Sequence, residues 1–493
     1  MVAGKRVPVD ITTLKRRGTG QGNAAKLRLR FDKVATRLIE RLQCQPDVSM
    51  RISFMRLRLP AIAPVMAIIG FCLFEVRPVS RLPGLPPQGS GSIVTVGPAN
   101  ADIVGSDDTA IQNAIDRIAA AGGGTVLVKA GTYTLENTVR LVSHLTLRGE
   151  GPDKTILKKA PGVHSKLKLD ADYGEFIATV EDASQFHARM GVVVVDDQQR
   201  EGWTPSVRTI VDITQNTLRF DRFLHMDYSV SNRGEVFNTF PLVAGYDVED
   251  VLVENLTADG ARDSSKTLDG CQSGAIYFFH SRKMTIRHCV ARNYPGDGIS
   301  CQFVEDPVVE NCEALGNASL GIHLGTGALR GLVRSNRAHD NGQDGLFLCW
   351  RVQHGRWEEN HSWNNGRDGI SLGHKDTDNV FTKNVIDGNA HAGVYFRDES
   401  EIDAAHRNTF VDNTICDNGR PAAPGYGIRV DGATKDLTFT SNLIRNSGGP
   451  QTGNQQVGIY IGPQAGHVTC EGNQFEGKFV RVVDESSGGH NKR

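Results

Sequence analysis

A lysine, an arginine and several carboxylates recur at related positions in the middle of this chain. Lys375 and Arg397 lie 22 residues apart, in the phrases HKDTDN and GVYFRDE. A lysine can act as a base when neighbouring cations make its proton easier to lose, and Arg351 and Arg397 could supply that field. A cation aimed at a carboxylate stabilises negative charge that grows on it. The pair could therefore remove a proton next to a carboxylate, with Lys375 as base and Arg397 as the cation aimed at the carboxylate. Asp376, Asp398 and Glu399 stand beside them, with Asp378 close by, and could hold calcium, which takes several oxygen ligands. His323, Arg351, His374 and Arg429 are candidates to position a substrate. Trp350, Phe347 and Tyr395 could stack on its rings. The same residues permit two other readings. Asp376 and Glu399 could form the carboxylate pair of a hydrolase, or the aromatic face could bind without breaking any bond. Lys375 and Arg397 are also ordinary partners for surface carboxylates. Cys349 has no evident base in the sequence, and a lone histidine such as His323 is more often a hydrogen-bonding residue than a catalyst.

These residues must be positioned by a repeat. Gly298, Gly321, Gly345, Gly369 and Gly393 open similar phrases (GISCQF, GIHLGT, GLFLCW, GISLGH, GVYFRD) at spacings of 23, 24, 24 and 24 residues. Gly427 and Gly458 continue the series after longer insertions. Alternating apolar residues after each glycine predict a half-buried strand. Asn311, Asn336, Asn360, Asn384, Asn413 and Asn442 form a second ladder, out of phase with the first, whose side-chain amides could bond along a stack. Such a period, with no helix between strands, predicts an all-β fold: a right-handed parallel β-helix with three short strands per coil. Blades of a β-propeller would need longer repeats. Two outward columns follow, one of Ser300, His323, Phe347, Ser371, Tyr395 and Arg429, the other of Gln302, Gly325, Cys349, Gly373, Arg397 and Asp431. Acidic Asp107 and Asp108, then Ile111, Ala114, Ile115 and Ile118 on one face, then Gly122–Gly124, predict a short helix that caps the stack. Cys289 and Cys312 occupy equivalent repeat positions and read as stacked interior thiols.

The pattern resembles the pectin-lyase-like superfamily of right-handed β-helices over about residues 94–480. The phrase DDTAIQNAIDRIAAAGGGTVLVKAGTY is similar to the N-terminal cap of its pectate-lyase and alginate-epimerase members. HKDTDNVFTKN followed by GVYFR resembles the Lys-Ser-x-x-Asn … Arg pattern of polysaccharide lyase family 6, the alginate and chondroitin lyases. That resemblance implies an acidic, uronate-containing polysaccharide as partner, with β-elimination by Lys375 as base and Arg397 as acid. It places Asn379 and Asn384 on the pattern's asparagines, and calcium at the uronate carboxylate. Asp376 stands in place of the pattern's serine, Asp398 in place of its histidine, and the spacing is one residue longer. AHDNGQDGLFL … ENHSWNNGRDG resembles coils of alginate epimerases. Their Asp-Pro-His phrase is replaced near His323 by HLGTG, and Cys349 stands where they keep an aspartate.

The 493 residues carry a net charge of −1, which argues against a nucleic-acid binder. Nine cysteines with no zinc-type spacing imply neither a disulfide scaffold nor a zinc site. Residues 1–49 read as a basic leader, disordered or upstream of the true start. Arg51, Arg56 and Arg58 precede the apolar run 59–74, so residues 50–74 predict a signal peptide or anchor. A Pro/Gly/Ser-rich linker spans 75–93. The β-helix domain is expected over 94–484, with residues 170–245 carrying an insertion, and 485–493 as a tail. A monomer outside the cytoplasm is expected, touching membrane only through the N-terminal anchor.

Overall fold

The computed structural model describes residues 91–420, 424–448 and 454–486. The leader, signal and most of the linker predicted for residues 1–93 lie outside this range, as does nearly all of the C-terminal tail. No helix among the described residues is long and apolar enough to cross a membrane.

Each coil contributes one strand to each of three long parallel sheets, of 13, 11 and 11 strands. In one central coil, Leu332–Arg334 enters the first sheet, Arg337–His339 the third and Leu346–Leu348 the second. Pairing along the second sheet runs Ser300 to His323 to Phe347 to Ser371 to Tyr395 to Arg429, the column expected from the glycine phrases. The inward alternate positions, Ile299, Ile322, Leu346, Ile370, Val394 and Ile428, are fully buried in one continuous core. That core also stacks Phe381 on Phe410 at 4.2 Å, with Trp357 and Phe439 beyond them.

The end of the stack is closed by the helix Asp108–Ala120. The Asp107 side chain accepts the Ala110 N–H, and Ile111, Ala114, Ile115 and Ile118 are buried on the first coil. This is what an N-cap and an apolar stripe at helical spacing should do.

Corners are held by asparagines. The Asn336 amide donates to Asn360 Oδ1 at 3.0 Å and to the Val309 carbonyl at 2.8 Å. The same motif repeats through Asn384, Asn413, Asn442 and Asn473. Asn311 is not part of this ladder. It is exposed with φ near +53°, and Cys312 fills the rung. Cys289 and Cys312 are buried free thiols, as stacked interior positions require. A second ladder, unanticipated from sequence, runs Asn317, Asn341, Asn365, Asn389 and Asn418 at the next corner.

The insertion differs from the expected early coils. Strands between His164 and Phe237 form a separate six-stranded antiparallel sheet. The Leu167–Val180 bridge links its two edge strands, closing it into a small barrel. The barrel has its own core of Val192, Val194, Ile210, Leu218, Phe220 and Val236. It enters the chain between Thr155–Lys159 and Val243–Tyr246, so the coils resume undisturbed after it.

Candidate active site on the second sheet

The outer face of the second sheet is covered at one end and open in the middle. The loop after Asp259 lies over the early coils, where Ser300 donates to the Gly270 carbonyl at 2.6 Å. Trp203 of the barrel packs edge-on against Phe279, with ring centres 5.6 Å apart, and lies 5.5 Å from Phe303. Ser300 and Gln302, expected on a solvated face, are consequently buried. Further along, Phe347, Cys349, Tyr395 and Arg429 are partly accessible, and Trp350 is 49% exposed.

Two glycines shape the open part. Side chains at 325 and 373 would collide with Gln302 and with Arg397, whose Nε would lie 2.7 Å from a Cβ at 373. Without them, Gln302 lies along the sheet from one end and Arg397 from the other, and both approach the coil of Phe347 and Cys349. Arg397 is fixed there. Nη1 donates to Ser371 Oγ at 3.0 Å, and Nη2 donates to the Leu348 carbonyl at 2.8 Å and to Asp376 Oδ2 at 3.3 Å. The guanidinium lies 4.7 Å from the centre of the Phe347 ring, and its Nε–H has no partner.

On the other side of the Phe347 ring sits His323, with ring centres 5.1 Å apart. His323 is only 3% exposed, and its Nδ1 is 2.8 Å from Asp297 Oδ2. Asp297 is fully buried beside it and also accepts the Leu320 N–H. Burial alone would depress this imidazole, but Asp297, with Cys349 adding to it, outweighs burial and holds its pKa at about 10.

His374 is its counterpart. Its Nε2 lies 2.8 Å from Glu399 Oε1, its ring stacks on Trp350 at 4.9 Å, and Nδ1 has no partner. Burial lowers the pKa of this imidazole, and the charge of Arg397 lowers it further. Burial also raises the Glu399 carboxyl. The stack depends on strained turns: Trp350 and Arg351, then His374 and Lys375 one coil on, all have positive φ. Non-glycine residues in that region cost roughly 1 kcal/mol or more each and cluster at functional sites.

The residues proposed from sequence are thus only partly brought together. Arg397, His374, Trp350 and Tyr395 share this face. Arg351 lies over the Trp350 ring at 5.9 Å, and Arg429 lies among Tyr395, Tyr426 and Tyr460 while donating to Asp431 at 2.8 Å. Lys375 instead pairs with Asp403 at 3.0 Å in a half-exposed ion pair, on the enlarged turn after the strand ending at Phe396. The three carboxylates assigned to calcium do not form one site. Asp376 is fully buried, with Oδ1 and Oδ2 accepting the Val352 and Gly373 N–H groups at 3.0 and 2.9 Å. Glu399 faces His374 and Asp398 is exposed. Among the described residues, no three His, Cys, Asp or Glu side chains are grouped as a metal site. Asp376 is equally unsuited to the hydrolase reading, since no substrate can reach it.

Asp297, Glu399 and Gln302 are the partners that sequence reasoning passed over in these roles. Asp297 sits in an Asp-Gly turn and was legible only as turn chemistry. Its position one coil before His323 was the available signal.

Residues 255–403 and 327–444 match the family described as the right-handed β-helix region. The mannuronan C5-epimerase AlgE2 of Azotobacter vinelandii is 26% identical over 307 residues. The match covers 62% of this chain but 22% of that relative, so the chain spans about a fifth of its length. The A-modules of the mannuronan C-5 epimerases AlgE6 and AlgE4 from Azotobacter vinelandii superpose with a TM-score of 0.51 each, at 16% and 17% identity. The alignments cover 78% of this chain and 93% and 94% of theirs. At such identities the likeness is one of fold. From its coils, its ladders and these matches, the chain is a right-handed parallel β-helix protein.

Proposed function

We propose that this chain acts on an acidic polysaccharide laid along the second sheet, removing the C5 proton of a uronate and cleaving the chain by β-elimination. One arrangement carries the reading: His323 is held by Asp297 and its pKa is pushed up, while His374, held by Glu399 and facing the charge of the partly buried Arg397, is pushed down. Groups whose surroundings push their pKa values apart are suited to separate acid and base roles. His374 is the base. Glu399 takes its Nε2–H and leaves Nδ1 for the incoming proton. Arg397 supplies a fixed positive charge where the carboxylate of the substrate gains negative charge. The acid end is the His323 side of the Phe347 ring. Trp350, Tyr395, Tyr426 and Tyr460 give the sugar rings flat partners along the axis. With Lys375 held by Asp403, the base role passes to its neighbour.

Inversion at C5 is the second reading, favoured by the relatives named as mannuronan C5-epimerases. It shares the proton removal and differs only in the fate of the carbanion. The test is a panel of alginate, pectate and glycosaminoglycans, with and without calcium, read by unsaturated-uronate absorbance and by NMR of C5 configuration. An absorbance rise lost in His374→Ala and kept in Lys375→Ala is expected. Inversion without absorbance selects the second reading. New reducing ends without either signal would overturn both in favour of hydrolysis.

A further inference from the structure

The barrel is not needed to close the β-helix, yet part of its interior is polar. Arg208 is buried there among neutral acceptors, the Val207 and Phe223 carbonyls and Ser206 Oγ. Burying such groups is costly unless they are hydrogen-bonded, and here the bonds converge on one loop. Arg208 can only donate, so His225 Nδ1 accepts from its Nη2 at 3.0 Å and Nε2 carries the hydrogen. That Nε2–H donates to the Trp203 carbonyl at 3.0 Å, and the Tyr228 hydroxyl donates to the adjacent Thr204 carbonyl at 2.6 Å. The loop that presents Trp203 to the second sheet is therefore braced from inside the barrel.

The contact that Trp203 makes is not sealed. Trp203, Phe279 and Phe303 form a triangle with ring centres 5.5 or 5.6 Å apart, yet Trp203 stays 38% and Phe303 37% exposed. Packing alone gains most by burying both rings. Phe303 also belongs to a ladder of turns. Its N–H donates to the Thr326 carbonyl, that of Gly327 to Trp350 and that of Arg351 to His374, and Phe303, Gly327 and Arg351 all have positive φ. The rung at Gly327 leaves a bare shelf, where even a Cβ would lie 3.5 Å from the Phe303 ring. The rung at Arg351 is exposed, lies over the Trp350 ring at 5.9 Å, and has no acidic partner among the described residues. Lys375 on the following rung is answered by Asp403. At about 4.8 Å per coil, Phe303 stands about 10 Å from the rung of Arg351 and about 14 Å from that of Lys375.

Resting on the reading that a uronate polymer lies along the second sheet, we infer that Trp203, Phe303 and Arg351 form a distal uronate subsite, remote from His374. The Trp203 and Phe303 rings hold the sugar ring, Gly327 leaves room for it, and Arg351 pairs with its carboxylate. Aromatic rings give a sugar flat apolar partners, and an unpaired guanidinium selects an acidic one. The occupant is a residue of the same polymer because the subsite continues the groove: Arg351 lies on Trp350, and Trp350 stacks on His374. The barrel is thereby part of the substrate-binding surface, and it makes affinity depend on chain length.

Di- and hexasaccharides of mannuronate and of galacturonate provide the test, since only the longer chains span both places. Binding is measured by calorimetry in His374→Gln, where no turnover intervenes, and KM and kcat are measured with His374 intact. The hexasaccharide should bind more tightly than the disaccharide, and that advantage should fall about five- to tenfold in Trp203→Ala and in Arg351→Ala. The loss should appear in KM and not in kcat. Trp203→Phe should recover most of it, and added salt should remove the Arg351 contribution. Maltohexaose, of the same residue number and uncharged, should bind more weakly than either acidic hexasaccharide. Should Trp203→Ala unfold, Arg351→Ala at the surface carries the test alone. Equal losses for both chain lengths, an unchanged advantage in both variants, or equal binding of maltohexaose would each overturn the subsite, and product formed by the wild type would still uphold proton abstraction. Trp203-dependent binding with no product from any uronate chain would keep the subsite and overturn the proton-abstraction reading.

Discussion

The outer faces of the first and second sheets are built from the same repeat, yet they treat charge in opposite ways. On the first sheet, carboxylates and guanidinium groups alternate up the axis. Glu254 receives Arg148 and Arg287, Glu310 receives Arg334 at 2.6 Å, and Glu358 receives Arg356 at 2.7 Å. Glu254 is buried, but the other heads lie at the surface or near it, and each charge is answered locally. On the second sheet, charges are pulled under the surface and left incompletely answered. Of the six buried side-chain polar atoms without a partner among the described residues, Gln302 Oε1, Asp368 Oδ2, His374 Nδ1 and Arg397 Nε belong to this side. Buried polar groups are normally satisfied, so a cluster of exceptions marks a place kept ready for something else. The β-helix thus separates its tasks by face, with one sheet soluble and inert and another holding unspent hydrogen bonds.

Breaking the second face should have the largest consequence. Arg397→Ala should reduce kcat by about 100-fold or more, the usual loss when a fixed electrostatic group is removed. Arg397→Lys should not restore it, because one ammonium cannot span Ser371, the Leu348 carbonyl and Asp376 in a plane. Steady-state kinetics beside thermal melts would separate this loss from unfolding. Activity kept in the alanine variant would place the chemistry elsewhere.

The next effect belongs to the corners that carry both faces. Asn360 accepts from Asn336 and donates to the Val333 carbonyl and to Asn384. Asn360→Ala strands several buried groups, at about 1–3 kcal/mol each. A total loss of at least about 3 kcal/mol in chemical denaturation is expected. A loss below about 1 kcal/mol would mean that the ladder is decorative.

How much of this could be read beforehand differs between the faces. The strand register was legible because Gly298, Gly321, Gly345, Gly369 and Gly393 repeat almost exactly, and period-two alternation then assigns every side chain to a face. The ladder from Asn336 was legible for the same reason. The second ladder was not: Asn341 and Asn365 precede glycines, so turn chemistry already explained them. The site was half legible. Spacing put Arg397, Tyr395 and His374 on one face, but spacing carries no information about a covering loop. The segment around Gly270 buries Ser300 and Gln302, and the enlarged turn after Phe396 takes Lys375 to Asp403 and Glu399 to His374. Both come from irregular stretches, where a repeat predicts nothing. The barrel was also hidden, since its runs are strand-like without being coils.

A pH titration sharpens the contrast at a smaller scale. Burial pushes the Asp376 carboxyl up to about 7, against the opposing pull of Arg397 and two backbone N–H groups. Its folded pKa is therefore above its unfolded value, and the folded chain binds the extra proton. This contribution to stability is complete below about pH 4 and is lost as pH rises through 7. Unfolding free energy should fall with rising pH across that window, by up to about 1.4 kcal/mol per unit from this group. Asp376→Asn should flatten the slope, as followed by denaturant midpoints at pH 4.5, 5.5 and 6.5. An unchanged slope would assign the titration to Asp344, whose pKa burial and the adjacent Asp368 raise to about 6.

The smallest effect is expected where the geometry looks strongest. Arg334 and Glu310 form a short ion pair on the first sheet, and distance alone would rank it above the 3.3 Å contact of Arg397 with Asp376. Yet the Arg334 side chain is 42% exposed, enough that ion pairing mostly trades one hydration for another, and such pairs contribute about 0–1 kcal/mol. Arg334→Ala should therefore change stability by no more than about 0.5 kcal/mol and leave kcat untouched, and moderate salt should erase what remains. The double variant with Glu310→Ala should behave as the sum of the singles. A coupling above about 1 kcal/mol would show that the first sheet's charges act as one network along the axis, and that the two faces differ in chemistry but not in the strength of their electrostatics.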